Sequence, residues 1–180
     1  MDRGIVLLPG ANLGPWAPLL TYAWLAGIPH EAETLPITWP TPIPSFAEVG
    51  EVGAWIDGQI GPELDTFAVD RPVLVGKSLG AYAAGIAADR ELPAIWLTPH
   101  LEQDWLVGHL RRATAPFLLV GGTADPVWRG DVARRLTPHV VEIAEANHGL
   151  VLPGRPLAES AHALGRIATA YEEFLQLVWA

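Results

Sequence analysis

The chain has 180 residues, half of them hydrophobic and only 17% charged, which suits a single folded domain over residues 1–180 and excludes a disordered chain. It has no cysteine, so disulfides and thiolate metal sites are excluded and the redox compartment is left open. A formal net charge of −9 disfavours nucleic acid and anionic lipid surfaces as partners, and no apolar stretch approaches a membrane span.

Met1-Asp2-Arg3-Gly4 leads into Ile5–Leu8, a run too short for a signal-peptide core and closed by Pro9-Gly10. A cytoplasmic location is therefore expected. That run reads as the first strand, and Pro15–Ala26 as the first helix. Ala32–Ile37 is the second strand, its Glu33 and Pro36 marking an edge. Thr38–Pro44 is Pro-rich and short, a stiff loop at the carboxyl edge of a sheet and not a linker. Ser45-Phe46-Ala47-Glu48 fits a capping box opening a helix over Phe46–Ile60.

Val73–Val75 is a third strand, followed by a helix over Leu79–Asp89. Ala94–Leu97 is the fourth strand, Gln103–Arg112 a helix and Phe117–Val120 the fifth strand. Arg129–Leu136 is again helical, and Val140–Ile143 is a sixth strand whose Glu142 marks the other edge. Pro156 suits the first turn of a last helix, Leu157–Val178, with an apolar stripe at Leu157, Ala161, Leu164, Ala168, Tyr171, Leu175 and Val178. Strands alternating with helices predict an α/β fold, a doubly wound parallel six-stranded sheet. Central strands of such sheets are unbroken apolar runs. With right-handed crossovers, that composition gives the order 2-1-3-4-5-6. Ligands then bind at the carboxyl ends beside the first and third strands.

The third strand ends at Gly76-Lys77-Ser78-Leu79-Gly80, a Gly-x-Ser-x-Gly turn between strand and helix that lifts the Ser78 hydroxyl clear of the backbone. A Cβ at either glycine would collide with the neighbouring strand or helix. A phosphate-binding loop would need glycine at position 71, where the chain has Arg71, and Pro72–Val75 reads as strand. A serine hydroxyl needs a base, and the base a group to hold its tautomer. Asp125 follows the fifth strand in Gly121-Gly122-Thr123-Ala124-Asp125-Pro126-Val127, and His148 follows the sixth in Asn147-His148-Gly149. Three loops at one sheet end can join them.

These three motifs, spread over nearly the whole chain, resemble the α/β-hydrolase superfamily. The similarity is to its small cap-less members of the dienelactone-hydrolase-like or carboxylesterase kind. The resemblance implies Ser78 as nucleophile, His148 as general base and then acid, and Asp125 as the residue that orients His148. An oxyanion hole is expected from the backbone N–H of Leu79 and one from the loop after the first strand, Ala11 first and Asn12 next. Pro9-Gly10 stands where the family commonly has His-Gly, which leaves that second donor open.

Trp16, Trp128 and His100 follow strand ends on this side. Each has two readings, a pocket wall or a packing or surface residue. Ser45 is a helix cap, and Ser160 has no acid-base partner in view. His30, His109, His139 and His162 show no metal-ligand spacing, so no metal or cofactor is expected. Asp104, Asp131 and Glu145 read as surface or helix-terminal charges. Lys77 either crosses the pocket rim or points to solvent. The segment from Thr98 to Glu102 is too short for a lid. The expected activity is hydrolysis of a small ester, thioester or lactone through an acyl-serine. The alternatives are a non-catalytic binding protein on the same fold and a flavodoxin-like cofactor binder, for which a second Gly-rich loop is missing. The oligomeric state is left open.

Overall fold

The computed structural model describes residues 3–180; Met1 and Asp2, where the N-terminal reading above begins, lie outside the described residues. The apolar runs form six strands: β1 (Gly4–Leu8), β2 (Glu33–Pro36), β3 (Val73–Lys77), β4 (Ala94–Leu97), β5 (Phe117–Gly122) and β6 (Val140–Ile143). All adjacent pairs are parallel, and the order is β2-β1-β3-β4-β5-β6. Every residue of β1, β3, β4 and β5 is buried. No residue of β2 is buried, and only Ile143 of β6 is. Charge and proline were therefore sound markers of the edges, because an edge strand keeps one side in solvent.

Six α-helices cover the sheet: α1 (Pro18–Gly27), α2 (Val49–Thr66), α3 (Ala84–Asp89), α4 (Asp104–Arg112), α5 (Gly130–Leu136) and α6 (Leu157–Val178). Alternate strand residues point to opposite faces. Val6, Leu8, Leu74, Trp96 and Leu119 pack with α2, α3, α4 and α5. Ile5, Leu7, Val75, Leu97 and Val120 pack with α1 and α6. The chain first runs outward from β1 to β2 and then returns to β3 on the other side of β1. In sheets with such a reversal, ligands bind beside the carboxyl ends of the two strands at that point, here β1 and β3. Among the described residues no helix is long and apolar enough to cross a membrane.

Four local readings need correction. Ser45 does not cap α2, which starts at Val49; the Glu51 carboxylate reaches back to the backbone N–H of Ala47 and Glu48 at 2.9 and 3.5 Å. The same helix runs through Pro62 to Thr66, beyond the expected stop at Ile60. Ile56, Ile60 and Leu64 are all buried along one stripe, and their burial outweighs the hydrogen bond a helix proline removes. In α6 the buried face is Ser160, Ala163, Ile167, Tyr171, Phe174 and Leu175, while Leu157 is 82% exposed. Alanines on both sides of the true stripe blurred its phase by one residue. Pro156 sits at the cap position just before α6, one residue ahead of its expected place.

Candidate active site

β3 delivers Ser78 in a left-handed conformation, φ 51°, that a residue with a side chain adopts only under strain. Two glycines make the turn possible. A Cβ on Gly76 would lie 2.5 Å from the Gly80 carbonyl oxygen, and one on Gly80 would lie 2.1 Å from that of Leu8. The chain after Ser78 does not enter one helix at once. It winds first as a 3-10 segment, Ser78–Ala83, and only then as α3. Tighter winding is common where a helix begins.

The loops after β5 and β6 are fastened to each other. Ala124 N–H donates to the Ala146 carbonyl at 3.0 Å, Thr123 N–H to that of Ile143 at 3.0 Å, and Glu145 N–H to the Thr123 hydroxyl at 2.8 Å. Gly122 allows this approach, since a Cβ there would come within 2.2 Å of the Ala146 oxygen. The Asn147 side-chain oxygen accepts from Gly149 N–H at 2.9 Å and Val151 N–H at 3.3 Å, which shapes the turn carrying His148.

The result is one linear contact. His148 Nδ1 lies 2.8 Å from Asp125 Oδ2, and His148 Nε2 lies 2.9 Å from Ser78 Oγ. The other Asp125 oxygen accepts from Val127 N–H at 3.2 Å. The Asp125 side chain is 0% exposed and that of His148 39%, so the carboxylate is sealed while the imidazole is partly open to solvent. A carboxylate at Nδ1 fixes the tautomer with the proton on that nitrogen. Nε2 is then free to accept from the Ser78 hydroxyl.

Leu79 follows Ser78 directly at the start of the 3-10 segment. Ala11 and Asn12 sit exposed at the tip of a turn closed by Leu13 N–H on the Gly10 carbonyl at 3.1 Å. Gly10 itself lies against the end of β3, where an added Cβ would be 3.7 Å from the Lys77 carbonyl oxygen. The turn therefore stands beside Ser78.

His100 borders the group. Its ring centroid is 5.6 Å from that of His148 and 5.7 Å from that of Tyr82. Burial pushes its imidazole below the ordinary range, and the neighbouring Glu102 carboxylate pulls the other way. Burial first and then Glu102 raise the Tyr82 hydroxyl to about 12, so it stays a neutral donor. Composition gave no sign of Tyr82 at the site.

Trp128 is not a pocket wall. It is 6% exposed, its ring covers Gly121, where a Cβ would approach it to 2.1 Å, and its Nε1–H donates to Glu142 at 2.7 Å. It locks the loop after Asp125 to β6. Trp16 is 53% exposed in the loop before α1, with its ring edge-on to Trp24 at 5.5 Å. Glu145 pairs with Arg155 at 2.7 Å and Asp131 with Arg135 at 2.9 Å, as surface charges do. The Ser160 hydroxyl accepts from Leu152 N–H at 2.9 Å, a structural tie. Among the described residues no three His, Cys, Asp or Glu side chains are grouped to hold a metal ion.

Lys77 points neither to solvent nor across the rim. It is 4% exposed, and its Nζ donates to the Thr98 hydroxyl at 2.6 Å. Burial lowers its ammonium to about 8, while the Asp125 charge acts in the opposite direction.

A parallel sheet of this order with a serine turn closing β3 is the α/β-hydrolase fold, in the reduced form that lacks a lid. No protein-family model and no curated protein sequence matches the chain. Solved structures do. One from Xanthomonas campestris pv. campestris, assigned as a hydrolase of the alpha/beta superfamily, is 20% identical over 98% of this chain and 99% of that one, with a TM-score of 0.65. Est1E from Butyrivibrio proteoclasticus is 13% identical over 97% of this chain and 87% of its own, with a TM-score of 0.71. An a/b serine hydrolase without lid from Xanthomonas campestris is 18% identical over 97% of this chain and 81% of its own, with a TM-score of 0.59. At these identities the likeness is one of fold.

Proposed function

We propose that this protein is a serine hydrolase acting on small esters, thioesters or lactones. The observation that carries the reading is the single imidazole of His148 in hydrogen-bond reach of a strained serine hydroxyl and of a sealed carboxylate. The name of the lid-less serine hydrolase among the fold neighbours supports it.

In this mechanism Ser78 Oγ attacks the carbonyl carbon as its proton passes to His148 Nε2. Asp125 balances the imidazolium charge and remains ionised. The oxyanion accepts hydrogen bonds from Leu79 N–H and from the N–H of Ala11 or Asn12. Collapse returns the proton from His148 to the leaving alcohol or thiol and leaves an acyl group on Ser78. Water, deprotonated by the same imidazole, then releases the acid. The substrate class follows from access. β4 and α4 are joined only by residues 98–103, which build no cover, so binding energy comes from a shallow crevice flanked by His100 and Tyr82. A long lipid chain would find little apolar enclosure there.

Turnover of a short-chain chromogenic ester tests the reading. Wild type hydrolyses it, and Ser78→Ala and His148→Ala each lose about a thousandfold or more in kcat. Equal rates in all three proteins refute it.

A further inference from the structure

A tryptophan holds the loop after β1 in place. Pro9 and Gly10 are both buried, and Pro9 has no N–H, so its carbonyl is the one backbone polar group it must satisfy. That carbonyl accepts from the Trp39 indole Nε1–H at 2.9 Å, a buried bond between residues 30 positions apart. Trp39 is 5% exposed and packs in the core with Ile37 and with Ile56 and Ile60 of α2. Its ring centroid lies 5.7 Å from that of Trp55 in α2, and Trp55 lies 5.6 Å from Phe46. Ile37 N–H donates to the Leu7 carbonyl at 3.0 Å, which carries the bonding between β1 and β2 close to Trp39. The Pro-rich segment 38–44 is therefore more than a stiff connection, because its one aromatic side chain bonds to the end of β1.

A peptide unit is planar, so fixing the Pro9 carbonyl also fixes the direction of the Gly10 N–H. Gly10 opens the turn that Leu13 N–H closes on its carbonyl at 3.1 Å, with Ala11 and Asn12 as the two central residues. In such a turn the N–H groups of the central residues take no part in the closing bond. Their direction is set by the turn and by the plane from which it starts. The same stretch packs on the serine turn at two points. A Cβ on Gly80 would lie 2.1 Å from the Leu8 carbonyl oxygen, and one on Gly10 would lie 3.7 Å from that of Lys77. Packing thus runs from the Trp39 indole through Pro9 and Gly10 to Lys77, the residue before Ser78.

We propose that Trp39 is a positioning residue of the oxyanion hole: its indole N–H pins the Pro9 carbonyl and so aims the N–H of Ala11 or Asn12 at the substrate oxygen that turns negative when Ser78 attacks. The inference rests on the hydrolase reading. Donors aimed in advance need no reorganisation as that charge develops. Without the indole bond the buried Pro9 carbonyl loses its partner, and its peptide turns to find another. Trp39 itself touches no substrate, and its effect reaches the reaction through the loop.

A matched pair of substrates tests this: a short-chain chromogenic ester and its thiono analogue, in which sulfur replaces the carbonyl oxygen and accepts hydrogen bonds poorly. Trp39→Phe loses roughly tenfold to a hundredfold in kcat on the ester, with KM little changed. It loses much less on the thiono ester, so the preference for oxygen narrows. A second variant carries benzothiophene in place of the indole at position 39, which keeps the shape and removes the donor, and it narrows the preference to the same extent. Loss of stability alone would slow both substrates equally, and an unchanged preference in either folded variant overturns the proposal. A wild type that cleaves neither substrate faults the hydrolase reading instead. Amide hydrogen exchange then reads the pin without turnover. The Leu13 N–H, which closes the turn, exchanges faster in the benzothiophene protein than in wild type. Equal exchange in the two proteins overturns the proposal as well.

Discussion

Opposite charges meet in two regions of this molecule, and they meet on different terms. On the outer face of α5 Arg135 joins Asp131 at 2.9 Å, and in the segment between β6 and α6 Arg155 joins Glu145 at 2.7 Å, with all four side chains roughly half exposed or more. At the end of β3 and β5, Lys77 and Asp125 are each 4% exposed. Water screens the first set, and such pairs contribute little to stability. The second set lies where the local dielectric is low, and there the Asp125 charge favours the protonated form of Lys77 against the burial that opposes it. The contrast teaches that proximity of charges is a poor guide to importance and that burial beside a strained turn is a better one.

The largest effect expected from breaking the buried region is steric. Gly80→Ala drives a methyl group against the Leu8 carbonyl. The turn at Ser78 cannot relax without parting β3 from β1, and a loss of roughly 2–4 kcal/mol follows. Urea denaturation measures it, and a variant as stable as wild type would mean that the turn yields more freely than its geometry allows.

A smaller effect has the opposite sign. Lys77 is lowered from 10.5 to about 8 by burial. Below pH 8 both the folded and the unfolded chain carry its proton, and the cost of burying the charge is fully present. As pH rises from 8 towards 10.5 the folded protein loses that proton while the unfolded chain keeps it, so the cost disappears. Lys77→Met is therefore more stable than wild type at pH 7 by roughly 1–3 kcal/mol, net of the lost bond to Thr98, and the gap closes above pH 10. Chemical denaturation of both proteins at pH 7 and at pH 10 checks it; a gap that widens with pH would reverse the sign of the argument.

The smallest effect belongs to the surface. Glu145→Gln breaks the contact with Arg155, and the melting temperature and ester turnover stay at wild-type values within error. A clear drop in either would erase the distinction between the two regions.

Much of the architecture was legible because burial on two faces leaves a plain mark. Ile5–Leu8 and Phe117–Val120 are unbroken apolar runs, and β2 and β6 betray their edges by Glu33, Pro36 and Glu142. Loop placement was legible too, since Ser78, Asp125 and His148 each follow a strand end and the structure brings their side chains together. What escaped depends on tertiary contact. The helix expected to end at Ile60 runs on to Thr66 because Leu64 is buried, and Trp128 stays open between pocket wall and packing residue until its ring is seen over Gly121. The fate of Lys77 left one trace in the composition, a solitary lysine among arginines, which gains meaning only once the residue is seen to be buried.

The central claim is that His148 activates one particular serine. The sequence has three serines: Ser45 is exposed, Ser160 is tied to Leu152, and Ser78 faces the imidazole. Treatment with a fluorophosphonate, followed by mass spectrometry of the peptides, reads the claim directly. One equivalent on Ser78 in wild type, and none in a folded His148→Ala variant, is the predicted result. An unlabelled wild-type protein of intact fold, or a label carried by Ser45 or Ser160, would contradict it.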